Sequence, residues 1–373
     1  MAFPMLFSPI TIKGMTLKNR VVMTVGGCAA SGGKEDGYIS ATQADFLVRR
    51  AQGGAGMIII GVNGGDMPSP FLMVRLSQDK HLPSFQRVVE RIHEAGARVC
   101  AQFFVWISKE GKIPGPEDVT LEEMKREKEA TARGALRAVK AGVDAIEFKC
   151  CHSTIMPEFL SRHWNIRTDE YGGDTEHRMK YPVEVFQAIR QSVGDKFPLG
   201  VRLGADDFLP EGNSLTHTRI IARKFAGLGM DFLNTSAGFI SARDSTQKSY
   251  IALLNRDLNP GLVYAAYRVH PVAWMPDAVN AYLAEDLRRT LRKAGYPIPV
   301  IAVGKIPHPK LAEELLQENR ADMIGMLRAL LSDPDWALKA QEGREKEIQR
   351  CRYCNLCLVH ERSMPAVCRY QKE

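Results

Sequence analysis

The chain has 373 residues, which is enough for one large α/β domain with a tail or for two modest domains. Apolar residues make up 45% of it, as in globular proteins with a real core, and its apolar runs are too short to span a membrane. The net charge of +7 comes from scattered basic residues, and the absence of any nucleic-acid module or low-complexity tract excludes a nucleic-acid partner. The N-terminus lacks the basic and apolar segments of a secretory signal, so we expect a cytoplasmic protein.

Short apolar runs alternate with longer amphipathic segments along the chain. Eight runs predict strands, and several are continuously apolar, which is typical of parallel strands buried on both faces. These strands are Arg20–Thr24, Met57–Gly61, Arg98–Phe104, Ala145–Lys149, Leu199–Leu203, Phe232–Thr235, Val300–Val303 and Met323–Met326. The segments with helical periodicity between them include Thr42–Gln52, Leu121–Ala141, Tyr181–Ser192, Thr216–Leu228 and Pro309–Gln317. Eight strand–helix units predict a (β/α)8 TIM barrel over residues 1–340.

Polar residues and glycines stand at the ends of these strands, where the active site of a TIM barrel lies. The set is Thr24, Gly61, Gln102, Lys149–His152, Arg202, Asn234–Ser236, Gly304, Lys305 and Gly325–Arg328. It offers amide, cationic and hydroxyl groups but few carboxylates, which suits a planar ligand with a phosphate better than hydrolysis by paired acids. The glycines after the last two strands favour a phosphate site, although a tight turn explains each glycine taken alone.

Four of the eight cysteines lie in the last stretch of the chain, in the run C-R-Y-C-N-L-C-x10-C. They are Cys351, Cys354, Cys357 and Cys368. This spacing favours an iron–sulfur cluster, because structural zinc usually takes two separated C-x2-C pairs and disulfides would need a secreted chain. Zinc remains the alternative. Arginines that flank the run form either a solvated face or a docking surface for an acidic electron carrier: Arg350, Arg352, Arg362 and Arg369.

Several stretches from one end of the chain to the other carry a family resemblance. They include L-F-S-P-I-T-I-K-G-M-T-L-K-N-R-V-V-M, A-Q-F-F, A-G-V-D-A-I-E-F-K-C-C-H, F-L-S-R-H-W-N-I-R-T-D-E-Y-G-G and R-A-D-M-I-G-M-L-R. The chain resembles the old yellow enzyme superfamily of FMN-dependent barrels, in particular the branch with a four-cysteine cluster that includes 2,4-dienoyl-CoA reductase, enoate reductases and trimethylamine dehydrogenase. Because the cysteine run follows the last barrel helix, as in that branch, the resemblance implies a [4Fe–4S] cluster within residues 341–373.

The resemblance implies roles for the residues at the strand ends. Gln102 would contact the pyrimidine edge of FMN, and Arg202 would stabilise negative charge on the reduced ring. His152 would face the substrate, with Lys149 beside it as the second catalytic candidate. Cys28 lies about one residue from a flavin-tuning cysteine of some relatives. The remaining FMN contacts would be Thr24 and Gly61 at the ring, and Gly304, Lys305, Leu327 and Arg328 at the phosphate.

Departures from the family pattern bear on the reaction. Lys149 stands where many relatives have the first histidine of an H-x-x-H/N pair, and Thr154 stands where many reductases have a proton-donating tyrosine. Lys149 could bind a substrate carboxylate or thioester carbonyl, or act as an acid if desolvation lowers its pKa. Equally, it could pair with Glu147 or Asp206. The region 238–299 is longer than usual and is interpreted as an extended loop or cap.

The resemblance implies an oxidoreductase, and we favour an ene-reductase that passes a hydride from reduced FMN to an activated C=C bond of an enoate or enoyl thioester. The alternatives are an amine-type dehydrogenase that exports electrons through the cluster and an electron-relay subunit with little turnover. Larger relatives continue into FAD- and NAD-binding domains, whereas this chain stops at Glu373 and has no G-x-G-x-x-G motif after a strand. We therefore expect electrons from NAD(P)H directly or from a ferredoxin, an electron-transfer flavoprotein or a reductase subunit. A homo-oligomer is common among relatives.

Overall fold

The eight predicted strands are all present and close into a parallel barrel. The computed structural model describes residues 2–25, 37–65, 74–109, 113–152, 154–240, 260–359, 368 and 370. An antiparallel hairpin of β1 (Ile10–Ile12) and β2 (Met15–Leu17) precedes the barrel. The barrel strands are β3 (Val21–Met23), β4 (Met57–Asn63), β5 (Arg98–Phe104), β6 (Ala145–Cys150), β7 (Leu199–Gly204), β8 (Phe232–Ser236), β9 (Val300–Ala302) and β10 (Met323–Met326). Each strand pairs with the next along the chain, and β10 pairs with β3, which confirms the predicted TIM barrel.

Helices form the outer layer. They are α1 (Ala41–Gln52), α2 (Leu82–Glu94), α3 (Leu121–Lys140), α4 (Ile155–Leu160), α5 (Thr175–Arg178), α6 (Lys180–Val193), α7 (Leu215–Gly227), α8 (Pro260–Val269), α9 (Ala281–Lys293), α10 (Pro309–Gln317), α11 (Arg328–Ser332), α12 (Trp336–Gln341) and α13 (Leu356–Val359). Short 3-10 turns span Asp79–His81, Pro116–Asp118 and Glu345–Glu347. The five predicted helices are confirmed, with ends that differ by at most one residue. Within the part of the chain that the structure describes, no helix combines the length and apolar character needed to cross a membrane.

The interior of the barrel begins with an apolar floor. At the N-terminal end of the strands, alternate side chains pack with the hairpin, whose Ile12, Met15 and Leu17 are buried. The strand residues of this floor are Val22, Met57, Ile59, Cys100, Ala145, Phe232, Ile301 and Met323. The hairpin therefore closes one end of the barrel and leaves the C-terminal ends of the strands for a site.

A second apolar core lies between the strands and the helices, as expected of strands buried on both faces. The C-terminal segment is attached to this core. Ile348 packs into it, and the backbone N–H of Gln349 donates to Asp333 at 2.9 Å. Lys339 donates to the same carboxylate at 2.7 Å. These contacts fix the start of the cysteine-containing segment beside α11.

The region 238–299 has two parts in the structure. Its second part contains α9, which packs against α7 and β9 as a member of the outer layer. Its first part includes residues 241–259, with Tyr250, which lie outside the described residues. In α8, the guanidinium of Arg268 lies 4.1 Å from the ring centre of Phe208. The interpretation of this first part as a cap over the site stays a prediction.

We expect Gly200 of β7 to tolerate no side chain. A Cβ atom there would lie 2.3 Å from the ring of Phe232, which is fully buried in the barrel floor. Gly200→Ala should lower the free energy of unfolding by about 1–3 kcal/mol through overpacking. Gly204→Ala on the same strand is the matched control, because its Cβ would meet nothing closer than 3.7 Å. Equal losses of stability in the two variants, measured by chemical unfolding, would contradict this packing argument.

Candidate active site at the mouth of the barrel

A buried polar layer lies above the apolar floor. Glu147 of β6 accepts hydrogen bonds from Nε2 of Gln102 on β5 at 2.5 Å and from Nδ2 of Asn234 on β8 at 2.9 Å. Burial raises the pKa of Glu147, and the Arg202 guanidinium opposes that shift. The layer joins three strands and holds Gln102, a predicted flavin contact, by its amide. Asn234 was predicted at the site only as one of several strand ends, and Glu147 only as a possible partner of Lys149.

Two cations stand on neighbouring strands at the next level of the mouth. Lys149 of β6 and Arg202 of β7 are paired in register. Arg202 is only 8% exposed. Among the described residues, its Nη1 contacts the carbonyl of Val25 at 3.4 Å and its Nε has no hydrogen-bond partner. A buried guanidinium with spare donors fits a ligand rich in carbonyl oxygens or negative charge, such as the FMN ring.

Glu147 and Asp206, the two possible carboxylate partners of Lys149, both accept hydrogen bonds from other groups. Glu147 accepts from the two amides of the buried layer, and Oδ1 of Asp206 accepts the backbone N–H of Phe208 at 2.8 Å. The ammonium of Lys149 lies 5.4 Å from the ring centre of Phe104, within the range of a cation–π contact. Both carboxylates therefore have other partners, and the choice between substrate binding and an ion pair for Lys149 stays a prediction.

His152 follows β6 in a left-handed backbone conformation, with φ of 57°. This conformation is uncommon outside glycine, although histidine adopts it more often than most residues. Nε2 of His152 lies 2.5 Å from Oγ of Ser236 at the end of β8, and Nδ1 lies 3.6 Å from Sγ of Cys151. Ser236 appears in the sequence only as one of several strand ends. The signal that could have singled it out is its position two residues after Asn234, on the same face of β8.

The charge state of His152 follows from its surroundings. Desolvation lowers its pKa well below the usual range, and Arg202, Lys149 and His270 lower it further. Desolvation also lowers the pKa of His270, to about 3, with Arg328 acting in the same direction. Both imidazoles are therefore neutral at neutral pH. The mouth carries positive charge on Lys149 and Arg202 but not on its histidines.

The residues predicted at the phosphate lie in the turns after β9 and β10. Gly304 has φ of 112°, and a Cβ there would lie 2.8 Å from Nδ2 of Asn280, so only glycine fits. The ammonium of Lys305 donates to the carbonyl of Ala273 at 2.8 Å and lies 3.5 Å from Asp277. The Lys305 side chain is thus directed to the segment that follows α8. Leu327 is the N-cap residue of α11.

Arg328, the other predicted phosphate ligand, contacts the cysteine segment. Its Nη1 donates to the carbonyl of Pro271 at 2.6 Å and to Oδ1 of Asn355 at 2.5 Å. Its guanidinium lies 4.7 Å from the ring centre of Tyr353. Arg328 therefore joins the turn after β10 to the loop between the cysteines.

The predicted ring contacts lie on adjacent strands. Gly61 is in register with Gln102, and the backbone N–H of Thr24 donates to the carbonyl of Met326 at 3.0 Å.

The four thiols of the C-terminal run share one neighbourhood. Burial raises the pKa of Cys351 and Cys357, that of Cys357 to about 11, while Arg328 opposes both shifts and the other thiols of the run contribute to both. The N–H of Tyr353 donates to Sγ of Cys351 at 3.3 Å. Tyr353 and Asn355 have φ of 52° and 59°, so the backbone turns at both positions between the cysteines.

The state of the cysteines is otherwise simple. None of the seven that the structure describes is in a disulfide, and Cys28 lies outside the described residues. Cys150 and Cys151 are buried, as small apolar side chains would be. Across the described ranges, no group of three or more histidine, cysteine or acidic side chains is arranged to hold a metal ion. The iron–sulfur cluster predicted from the cysteine spacing therefore stays a proposal.

A TIM barrel whose mouth presents amides, a buried guanidinium and glycine turns is the architecture expected of a flavin-dependent oxidoreductase. Comparison with known sequences agrees with this class. The chain belongs to the NADH:flavin oxidoreductase / NADH oxidase family, whose pattern matches residues 5–112 and 107–347. The chain is therefore an enzyme of the oxidoreductase class, as predicted.

Similar proteins give the same fold in longer chains. An NADH oxidase of Thermoanaerobacter brockii is 31% identical over 380 residues, covering 95% of this chain and 53% of that protein. A 2-naphthoyl-CoA reductase structure has a TM-score of 0.80 at 23% identity, covering 96% of this chain and 55% of the other. Histamine dehydrogenase from Rhizobium sp. 4-9 has a TM-score of 0.78 at 23% identity, covering 97% and 51%. This chain thus spans about half the length of these proteins.

We expect the lowered pKa of His152 to make stability depend on pH. Below pH 6.5 the unfolded imidazole binds a proton that the folded one does not, so the free energy of unfolding falls as the pH drops through this range. His152→Asn, which tolerates the left-handed backbone, should remove up to about 1.4 kcal/mol per pH unit of that slope. Urea unfolding between pH 5.5 and 7.5 measures this difference. Parallel curves for the two proteins would contradict it.

Proposed function

We propose that this enzyme is an FMN- and [4Fe–4S]-dependent ene-reductase that acts on an activated C=C bond of an enoate or enoyl thioester. When bound, FMN supplies a hydride to the β-carbon, and a proton delivered from solvent or a donor group completes the α-carbon. The residues of this chain would bind the flavin, orient the substrate carbonyl and stabilise the charge that develops on it. We also propose that the enzyme is located in the cytoplasm, as expected from the sequence.

The observation that carries this proposal is the pair of cations, Lys149 and Arg202, beside the neutral His152. Hydride addition to the β-carbon moves an electron pair toward the carbonyl oxygen, so negative charge develops there. Fixed cations and hydrogen-bond donors at that place stabilise the transition state more than the substrate. The name of 2-naphthoyl-CoA reductase, a structural neighbour, refers to a thioester and supports this substrate class.

The polar layer and the turns would hold FMN. Arg202 offers unused donors to the carbonyl edge of the ring, and Gln102 is oriented by Glu147 toward the same ligand. Thr24 and Gly61 would line the ring through their backbone. The phosphate would lie at the glycine turn after β9 and the start of α11, held by Gly304, Lys305, Leu327 and Arg328.

The four cysteines would hold the cluster and pass single electrons to or from the flavin site: Cys351, Cys354, Cys357 and Cys368. Cys354 is exposed, so this side of the cluster loop faces solvent, where an electron carrier can approach. We propose that electrons arrive either from NAD(P)H at the barrel mouth or through this face from a ferredoxin, an electron-transfer flavoprotein or a reductase subunit.

An amine-type dehydrogenase is the second candidate, favoured by the structural likeness to histamine dehydrogenase. An ammonium substrate would need an aromatic face, and the face of Phe104 is already within 5.4 Å of the Lys149 ammonium. Lys149 and Arg202 would also repel a further cation. These charges rank the amine reaction second, and an electron-relay subunit without turnover third.

We expect the anaerobically reduced enzyme to be reoxidised by an enoyl thioester such as cinnamoyl-CoA or by cinnamate. Lys149→Met should lower kcat/KM for this reaction about 10- to 100-fold, because a hydrogen bond to a charged group contributes about 1.5–3 kcal/mol. Lys149→Arg keeps the charge and is the matched control. Stopped-flow absorbance of the flavin measures the rate of this reoxidation in the wild-type enzyme and in both variants.

Two results of this experiment would overturn the ene-reductase assignment. Bleaching of the oxidised flavin by histamine or trimethylamine, without reoxidation by any enoate, would establish the amine reaction. A flavin spectrum that none of these compounds changes would favour the relay subunit.

The cluster proposal predicts about four iron and four acid-labile sulfide per chain in anaerobically purified protein, as [4Fe–4S] requires. Cys354→Ser should lose most of both while the barrel keeps its FMN. Cys100→Ala is the control, because Cys100 is buried in the barrel floor away from the run. Zinc without sulfide in the wild-type protein would overturn the electron-transfer role of these cysteines.

A further inference from the structure

The contact between Ser236 and His152 joins two strands that are distant in the sequence. Oγ of Ser236 lies 2.5 Å from Nε2 of His152, across 84 residues of chain. Ser236 is 4% exposed at the end of β8, and its backbone carbonyl accepts the N–H of Ala205 at 2.9 Å. Both strands are paired into the barrel, so the backbone positions from which these two side chains extend are fixed relative to each other.

The other ring nitrogen of His152 has only a weak partner. Nδ1 lies 3.6 Å from Sγ of Cys151, and a thiol is a weak donor and a weak acceptor. Burial raises the pKa of Cys151, so it remains a thiol at neutral pH. The strong contact that orients the ring is therefore the one with Ser236.

The backbone at His152 supports the same conclusion. A histidine with φ of 57° is held in a sparsely populated conformation, which persists only when the surroundings fix it. The N–H of Thr154 donates to the carbonyl of His152 at 3.0 Å and closes this turn. The hydroxyl of Thr154 is buried and has no partner among the described residues, so it does not orient the imidazole.

We propose that Ser236 is a positioning residue that holds His152 as a neutral imidazole in one tautomer and one orientation at the barrel mouth. The inference rests on the proposed function, in which His152 faces the substrate carbonyl. A neutral imidazole carries one N–H and one acceptor nitrogen, and interchange of the two would reverse what it offers the substrate. A hydroxyl alone could bond either tautomer, but the Ser236 hydroxyl also donates to the sulfur of Cys151, so its oxygen is left to accept an N–H at Nε2 and favours that tautomer. The charged or titratable groups that face this ring are Lys149, Cys151, Arg202 and His270.

Nitrogen NMR of the oxidised holoenzyme, labelled with 15N-histidine, tests the inference without turnover. His152→Asn identifies the signal. In the wild-type protein we expect one tautomer that does not titrate between pH 5.5 and 8. Ser236→Ala should give a mixture of the two tautomers, and Ser236→Thr, which keeps a hydroxyl, should restore the single form. Two exchanging tautomers in the wild-type protein would overturn the inference before any variant is made.

Thr235→Val is the matched control for a lost buried hydroxyl. Oγ1 of Thr235 is buried on the same strand, but it donates to the carbonyl of Ile301 at 2.8 Å and does not contact His152. We expect this variant to leave the His152 signal as in the wild-type protein. If Thr235→Val and Ser236→Ala change the signal equally, Ser236 has only a structural role.

The kinetic arm separates this inference from the proposed function. Ser236→Ala should lower kcat for enoate reduction about tenfold with KM little changed, less than the roughly hundredfold or more of full general acid–base catalysis. If no enoate is reduced but Ser236→Ala mixes the tautomers, the proposed reaction fails and the positioning role stands. If enoates are reduced and Ser236→Ala changes neither the tautomer nor kcat, the positioning role fails alone.

Discussion

The buried carboxylate of Glu147 is the constraint on which the arrangement of the barrel mouth depends. A carboxylate inside a barrel is strongly destabilising unless hydrogen-bond donors surround it. Gln102 and Asn234 supply those donors from β5 and β8, so three strands are held at a fixed height. Because side chains alternate along a strand, the residues two positions further on face the same space. On β6 and β8 these residues are Lys149 and Ser236, and both belong to the site.

The polar layer also separates two environments. Below it, the apolar floor and the hairpin exclude water from the barrel. Above it, the two basic side chains of Lys149 and Arg202 lie on neighbouring strands, while the imidazoles of His152 and His270 are neutral. A flavin bound over this layer would meet a cation on one edge and a neutral imidazole, held in one orientation, beside it. That combination suits a substrate that gains negative charge on oxygen.

Much of the fold and the outline of the site could be predicted from the sequence. Apolar runs gave the eight strands, and helical periodicity gave the five helices nearly to the residue, because both signals are local. Ser236 could not be assigned, since its partner His152 is 84 residues away and only the strand register brings the two together. Lys305 has the position expected of a phosphate ligand, yet its ammonium contacts the segment after α8, whose path no local pattern specifies. In region 238–299, the spacing of Leu283, Leu287 and Leu291 indicates α9. The unusual length of the region instead led to its interpretation as an extended loop or cap.

The contacts of Arg328 connect the two proposed cofactor sites. Its guanidinium donates to Asn355 in the cysteine loop, and the residue itself is the first of α11, the helix at the proposed phosphate site. The amide of Asn355 also donates to the carbonyl of His270 at 3.0 Å, and His270 acts on the pKa of His152. A phosphate and a thiolate-bound cluster are both anionic, so under the proposed function one arginine would serve two negative groups. Loss of either group would leave the guanidinium of Arg328 without one of its two anionic partners. The stabilities of the two sites would therefore be coupled through this side chain.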